Sequence, residues 1–190
     1  NIDASLASVI LTSLDELAGY PYGCVEQTMS RFLPTVIVAK AFREINAPIS
    51  EATKKDLPVM VDKGLQRLYG FQHSDGGWGW WENDNSNPFM TAYVVYGLAI
   101  AVESGYEVRD GVLNNGKSAI KNHLNNNEKD LTTRAYMLYS LATAGKENND
   151  YIEKILVNMN MSDLNDYAKS LAAMTWKLIG NERKAKEELI

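Results

Sequence analysis

Two stretches of this chain, "TAYVVYGLAIA" at 91–101 and "RAYMLYSLATA" at 134–144, carry one pattern at an offset of 43 residues: Ala-Tyr, a second Tyr three positions on, then Leu-Ala. A weaker third copy, "AKSLAAMTWKLIG", follows at 168–180. A short helical unit cannot bury its apolar face alone. Units recurring every 30 to 45 residues must therefore stack on their neighbours, as an open solenoid or a closed α/α toroid. Elsewhere apolar residues also recur at helical spacing, and no run alternates strictly enough to make a strand. The fold class is all-α, built of stacked helical hairpins.

The periodicity predicts helices over 4–18, 24–45 with a break near Pro34, and 50–72 with a break near Pro58. Further ones are expected over 88–104, 108–124, 129–144, 149–159, 163–179 and 181–190. Short connections such as "NNNEKD" (125–130) and "GKENND" (145–150) make neighbours antiparallel. Small residues (Ala92, Gly97, Ala99 and Ala101; Ala135, Ser140 and Ala142) would let helices approach closely. Tyr93, Tyr96, Tyr136 and Tyr139, paired at i and i+3, read as a core stripe rather than a binding box.

At 190 residues, 45% hydrophobic and 23% charged, the chain supports one good-sized core, so 1–190 is expected to be a single domain. A net charge of −5 with no run of Lys or Arg argues against nucleic acid or an anionic membrane as partner. The longest apolar stretch, around 91–105, is too short to span a bilayer. Residue 1 is Asn and opens no signal-peptide pattern, which suggests a processed product or a segment excised from something larger. The single cysteine permits no internal disulfide. That would suggest a reducing compartment unless the thiol is already bonded elsewhere.

One long stretch, "FQHSDGGWGWWENDNSNP" (71–88), is not helical. Its Gln72, Asp75, Gly76, Gly77 and Trp78 match Q-x-x-D-G-G-W, similar to the glutamine and tryptophan motif repeated in terpenoid cyclases. There the glutamine amide ties off a helix end, while the indole packs over the glycine turn and donates its N–H. The likeness supports helical hairpins, not cyclase chemistry, since no Asp-x-Asp-Asp cluster is present. Asp75, Glu82 and Asp84 lack the alternating oxygen pattern of a calcium loop. No metal site or cofactor is expected.

The only cysteine stands in "GYPYGCVEQTMSRFLP" (19–34). If Gly23 caps a helix that Cys24 begins, Cys24 and Gln27 share a face, with side-chain origins about 5 to 6 Å apart. The sulfur can then attack the glutamine's side-chain carbonyl and expel ammonia, closing a thiolactone. The N–H groups of a helix N-terminus favour the thiolate this attack requires. Glu26 adjoins both groups and could carry the proton to the departing ammonia. Such an acyl group must be kept from water, and Tyr20 and Tyr22, with Pro21 stiffening the approach, are the natural lid. The plainer alternative is a small buried cysteine followed by two good first-turn residues.

The longer stretch "PYGCVEQTMSRFLPTV" resembles the thioester segment of the alpha-2-macroglobulin and complement superfamily, whose core is Gly-Cys-x-Glu-Gln, and looks most like its bacterial members. The resemblance extends through "SLASVILTSLDELAGY" and "QHSDGGWGWWENDNSNPFMTAYVVYGLAIA", over roughly residues 5 to 105. It implies a thioester domain, an α/α toroid of six hairpins in the intact family, with Cys24 as thiol half, Gln27 as acyl half, Gly23 as the motif glycine and Glu26 as the motif acid. The fragment falls short of twelve helices, so either it stops before the ring closes or the toroid is reduced.

The resemblance further implies a protease trap rather than a turnover enzyme. A protease cuts a bait region in another domain, and the uncovered thioester acylates a lysine or hydroxyl of the attacker. The partners implied are target proteases and flanking domains of a parent protein. The place implied is the periplasm, cell envelope or exterior, where a cysteine held in a thioester would be compatible with oxidising conditions. Some complement proteins first pass the acyl group to a histidine. Only His73 and His123 are available here; His123 is the better candidate, and without such a group amines should be the preferred acceptors.

Two other classes stay open. A turnover enzyme on an α/α toroid would need paired carboxylates facing the ring interior, whereas Asp62, Asp75, Glu82, Asp84 and Asp130 all read as superficial. A helical interaction scaffold would leave Cys24 inert.

Overall fold

The computed structural model describes residues 23–44, 51–126 and 128–187. The predicted first helix and the proposed lid tyrosines Tyr20 and Tyr22 lie outside the described residues. Within them the chain forms α1 (Val25–Glu44), α2 (Glu51–Gly70), α3 (Pro88–Glu103), α4 (Val112–Asn125), α5 (Leu131–Thr143), α6 (Asn149–Val157), α7 (Asp166–Leu178) and α8 (Glu182–Glu187). There is no strand among the described residues.

Helices α1, α3, α5 and α7 pack one against the next, and α2, α4, α6 and α8 each fold back on the helix before them. This is the hairpin arrangement of an α/α toroid, with four hairpins among the described residues. One apolar core runs along the whole row, from Val25, Met29 and Phe32 through Val94, Leu98, Leu138 and Leu141 to Leu171 and Trp176. The stripe of small residues permits the close packing. A Cβ on Gly97 would lie 2.5 Å from the Met29 methyl, so glycine lets that side chain sit directly between α3 and α1.

The breaks expected at the two prolines do not occur. Helix α1 runs through Pro34 and α2 through Pro58. An interior proline costs roughly 3 kcal/mol, but each helix keeps one continuous buried face across it. Those faces are Met29, Phe32, Val36 and Ala39 in α1, and Leu57, Val61, Leu65 and Leu68 in α2. Burying a single large apolar side chain contributes about 1.5–3 kcal/mol, so a run of four outweighs the lost bond. One boundary also moves: α4 begins at Val112 rather than near 108, because Gly111 takes φ +83° and sets the chain's direction there.

The repeated tyrosines pack across α3 and α5. Tyr96 stacks at 5.6 Å from Tyr139 and 6.5 Å from Tyr136, and Phe89 lies 5.4 Å from Tyr136. Tyr136 is buried, the other three are half-buried, and burial pushes the Tyr139 phenol up to about 12. The reading as core holds best at Tyr136.

Candidate functional site

Helix α1 begins one residue later than the sequence suggests: Cys24, not Gly23, is the cap. The Cys24 carbonyl accepts the first helical bond, from Thr28 N–H at 3.0 Å, which is what a capping residue's carbonyl does. Gln27 is then the third helical residue, and its side-chain Oε1 reaches back to accept the Cys24 backbone N–H at 3.2 Å. This is half of a capping box, with a thiol standing where serine or threonine is usual. Cys24 is buried at 9% exposure, whereas Gln27 is exposed.

The motif glycine has a steric cause. A Cβ on Gly23 would sit 2.8 Å from Gln27 Oε1 and 3.1 Å from Gln27 Cβ, inside the space the folded-back amide occupies. On one flank of α1, Arg67 of α2 donates through Nη2 to the Gly23 carbonyl at 2.5 Å and through Nε to Thr28 Oγ1 at 3.0 Å. Thr28 Oγ1 in turn donates to the Cys24 carbonyl at 2.9 Å. On the other flank Ser30 donates to Glu26 Oε1 at 2.8 Å, beside Tyr93 of α3. Burial, offset in part by Ser30, pushes the Tyr93 phenol up. The Gln27 amide is thus folded back onto the Cys24 N–H, while Glu26 is held by Ser30 on the side toward α3.

The 71–87 loop closes over the start of α1: Val25 N–H donates to the Trp80 carbonyl at 2.9 Å. Asp84 accepts Trp80 N–H at 2.7 Å and Trp81 N–H at 3.2 Å, shaping the segment that supplies that carbonyl. Trp78 is fully buried, and its indole N–H donates to Leu68 O at 2.8 Å in the last turn of α2. It is thus the indole, not the glutamine amide, that ties off a helix end. Gln72 instead donates to Gly76 O at 3.0 Å and to Val112 O at 2.9 Å, joining the turn to the first residue of α4. Gly76 has φ +87°, and a Cβ there would lie 2.6 Å from Asn115 O. Burial opposes ionisation of Asp75, but the Gly77 N–H and Ser86 hydroxyl donating to it offset this and hold its carboxyl below the usual range.

The two histidines differ. Both His73 ring nitrogens are engaged within the loop, Nδ1 with Ser86 Oγ and Nε2 with the Trp81 carbonyl, each at 3.0 Å. Since a carbonyl only accepts, Nε2 must carry a hydrogen, which leaves it no lone pair for attack on an acyl group. His123 is half-buried in the last turn of α4, close enough to Asp75 to influence it electrostatically. Among the described residues no group of three or more His, Cys, Asp or Glu side chains is placed to hold a metal ion. Asp130 caps α5, accepting Thr132 N–H and Thr133 N–H. Sequence reasoning missed Arg67, Thr28, Ser30 and the Trp80 carbonyl. Their only early sign was that the motif is followed by hydroxyl residues at the helical spacing of Cys24 and Glu26.

A row of α/α hairpins whose first helix opens on Gly-Cys-x-Glu-Gln, with the glutamine amide folded onto the cysteine, defines a particular class of toroidal domain. Residues 2–109 match the family described as the A-macroglobulin TED domain, and the chain belongs to that family. It is 41% identical to an alpha-2-macroglobulin of Thermotoga maritima over 119 residues, covering 63% of this chain and 7% of that protein. An alpha-2-macroglobulin of Escherichia coli is 33% identical over 112 residues, covering 58% of this chain and 7% of that one. The chain thus spans about one fourteenth of these relatives' length. The crystal structure of native E. coli alpha-2-macroglobulin from domain MG7 to the C-terminus superposes with a TM-score of 0.69 and 23% identity. That match covers 95% of this chain and 30% of the other, and establishes the shared fold.

Proposed function

We propose that the chain is the reactive domain of an alpha-2-macroglobulin-like protease inhibitor, which traps attacking proteases covalently through an internal thioester between Cys24 and Gln27. The observation that carries this reading is the Cys24 N–H to Gln27 Oε1 bond at 3.2 Å, within a buried cap in a chain of this family. It puts the amide carbonyl against the residue that bears the nucleophile.

The chemistry follows from that contact. The Cys24 thiolate attacks Gln27 Cδ, the C–S bond forms and negative charge grows on Oε1. The Cys24 N–H already points at that oxygen, and one such donor is worth roughly a hundredfold or more in rate. Collapse breaks the C–N bond, and the amide nitrogen leaves as ammonia with the proton that the Cys24 thiol gave up, Glu26 being the carrier. In the trapping step a lysine amine or a hydroxyl of the protease attacks the same carbon, the new bond forms, the C–S bond breaks, and Cys24 leaves as thiolate and takes up the proton the nucleophile loses. The enzyme attacked is held once, with no turnover. Burial of Cys24 keeps water from the sulfur of the bond.

With His73 committed to the loop, amines are the preferred acceptors, and His123 is the one histidine left to assist transfer to hydroxyls. The residues act as one domain of a longer protein with a bait region elsewhere, working in the periplasm or at the cell envelope. Among the described residues no helix is long and apolar enough to cross a membrane.

Intact mass of the full-length protein tests the reading. The expected result is a mass one ammonia below that of the sequence; methylamine then adds to the protein and releases one thiol, and Cys24→Ala abolishes both. Full sequence mass with an inert thiol would leave a helical scaffold instead.

A further inference from the structure

Resting on the thioester reading, we infer that Arg67, with Thr28, is a positioning residue for the reacting carbonyl of Gln27, acting through the peptide group between Gly23 and Cys24. That peptide carries two of the bonds described above. Its oxygen, Gly23 O, accepts Arg67 Nη2 at 2.5 Å, and its N–H, from Cys24, donates to Gln27 Oε1 at 3.2 Å. A charged donor on the carbonyl end fixes the plane of the peptide and polarises it, which strengthens the N–H at the other end as a donor. Arg67 therefore sets both the direction and the strength of the donor that faces the oxygen where charge develops.

The second prong of the guanidinium holds the other side of the cysteine. Nε donates to Thr28 Oγ1 at 3.0 Å, and that hydroxyl donates to Cys24 O at 2.9 Å. The carbonyls before and after the reactive residue are thus both tied, directly or through one hydroxyl, to a single rigid fork. Helix capping alone does not call for this. The groups left over at a helix N-terminus are N–H donors, whereas the Arg67 fork serves the Gly23 carbonyl and a hydroxyl bound to the Cys24 carbonyl. Thr28 is buried at 6%, and its hydroxyl is used as both acceptor and donor. Arg67 itself is steadied over the Phe71 ring, 5.4 Å from its centroid.

The test uses the full-length protein and three readouts: the fraction lighter by one ammonia, the rate of methylamine-driven thiol release, and the thermal midpoint. Arg67→Met should slow closure and methylamine reaction about tenfold, the effect of misdirecting one hydrogen bond to a developing charge. Arg67→Lys keeps the charge but not the fork and should also be slow. Thr28→Val, nearly isosteric, should slow both steps, and Thr28→Ser should restore them at an equal thermal midpoint, which a merely structural role would not produce. Should Arg67→Met fail to fold, Arg67→Lys and the two Thr28 variants decide. Folded Arg67 and Thr28→Val variants that close and react at the wild-type rate overturn the inference alone. A wild type at full mass with an inert thiol overturns the thioester reading, and this inference falls with it.

Discussion

Replacing Gly23 by alanine should disable the site while sparing the fold. The cost is local. The new Cβ would stand 2.8 Å from Gln27 Oε1, 3.1 Å from its Cβ and 3.6 Å from its Cδ. The first distance is closer than real Cβ atoms come, and the obstructing atom is the far end of a flexible, exposed side chain. Gln27 will therefore swing away and give up its bond to Cys24 N–H. One part-exposed hydrogen bond is worth about 0.5–1.5 kcal/mol, so the denaturation midpoint should fall only slightly. For the chemistry the same bond aligns the carbonyl and stabilises its developing charge, so closure should slow by roughly a hundredfold. Intact mass and thiol titration of the folded variant should show full sequence mass and a thiol free from the start. A Gly23→Ala protein that is lighter by one ammonia and reacts with methylamine at the wild-type rate would refute the reasoning.

Other outcomes can be measured on the fold itself. Trp78→Phe removes the indole N–H from Leu68 O and should lower unfolding stability by about 1–3 kcal/mol, read as a shifted urea midpoint at unchanged slope. Gly76→Ala combines φ +87° with a 2.6 Å approach to Asn115 O and should cost about 2 kcal/mol or more; a stable variant would show that the loop can move. In acid, the Asp130 carboxyl is held below its usual range by the Thr133 hydroxyl, aided by the Thr133 and Thr132 N–H groups against a smaller opposing effect of burial. Asp75 is held down as described above. Both groups are depressed in the folded state, so their stabilisation is present above about pH 4 and is lost as pH falls through the folded values. Asp130→Asn should flatten part of that acid limb in a melting series. In base the sign reverses. Tyr139, raised to about 12 chiefly by burial and then by Tyr96, stabilises fully below about pH 10 and loses that contribution as pH climbs toward 12. Phenolate absorbance should rise with unfolding there rather than before it.

The sequence by itself determined the all-α class, the hairpin repeat, the ends of most helices within a few residues and the i, i+3 placement of Gln27 next to Cys24. These are local matters: helical spacing decides which side chains share a face, and i, i+3 neighbours meet in any α-helix. It misjudged the two prolines because a continuous apolar face, read as two halves, gives no measure of how much burial will oppose a lost hydrogen bond. Tertiary structure alone decided what surrounds the motif. Arg67 meets Gly23 from 44 residues away and Thr28 from 39, and Trp80 brings its carbonyl to Val25 only because the glycine turn folds the loop back over α1. No periodicity encodes such contacts. They follow from how α2 and the loop pack on α1, and that packing decides which peptide plane faces the glutamine.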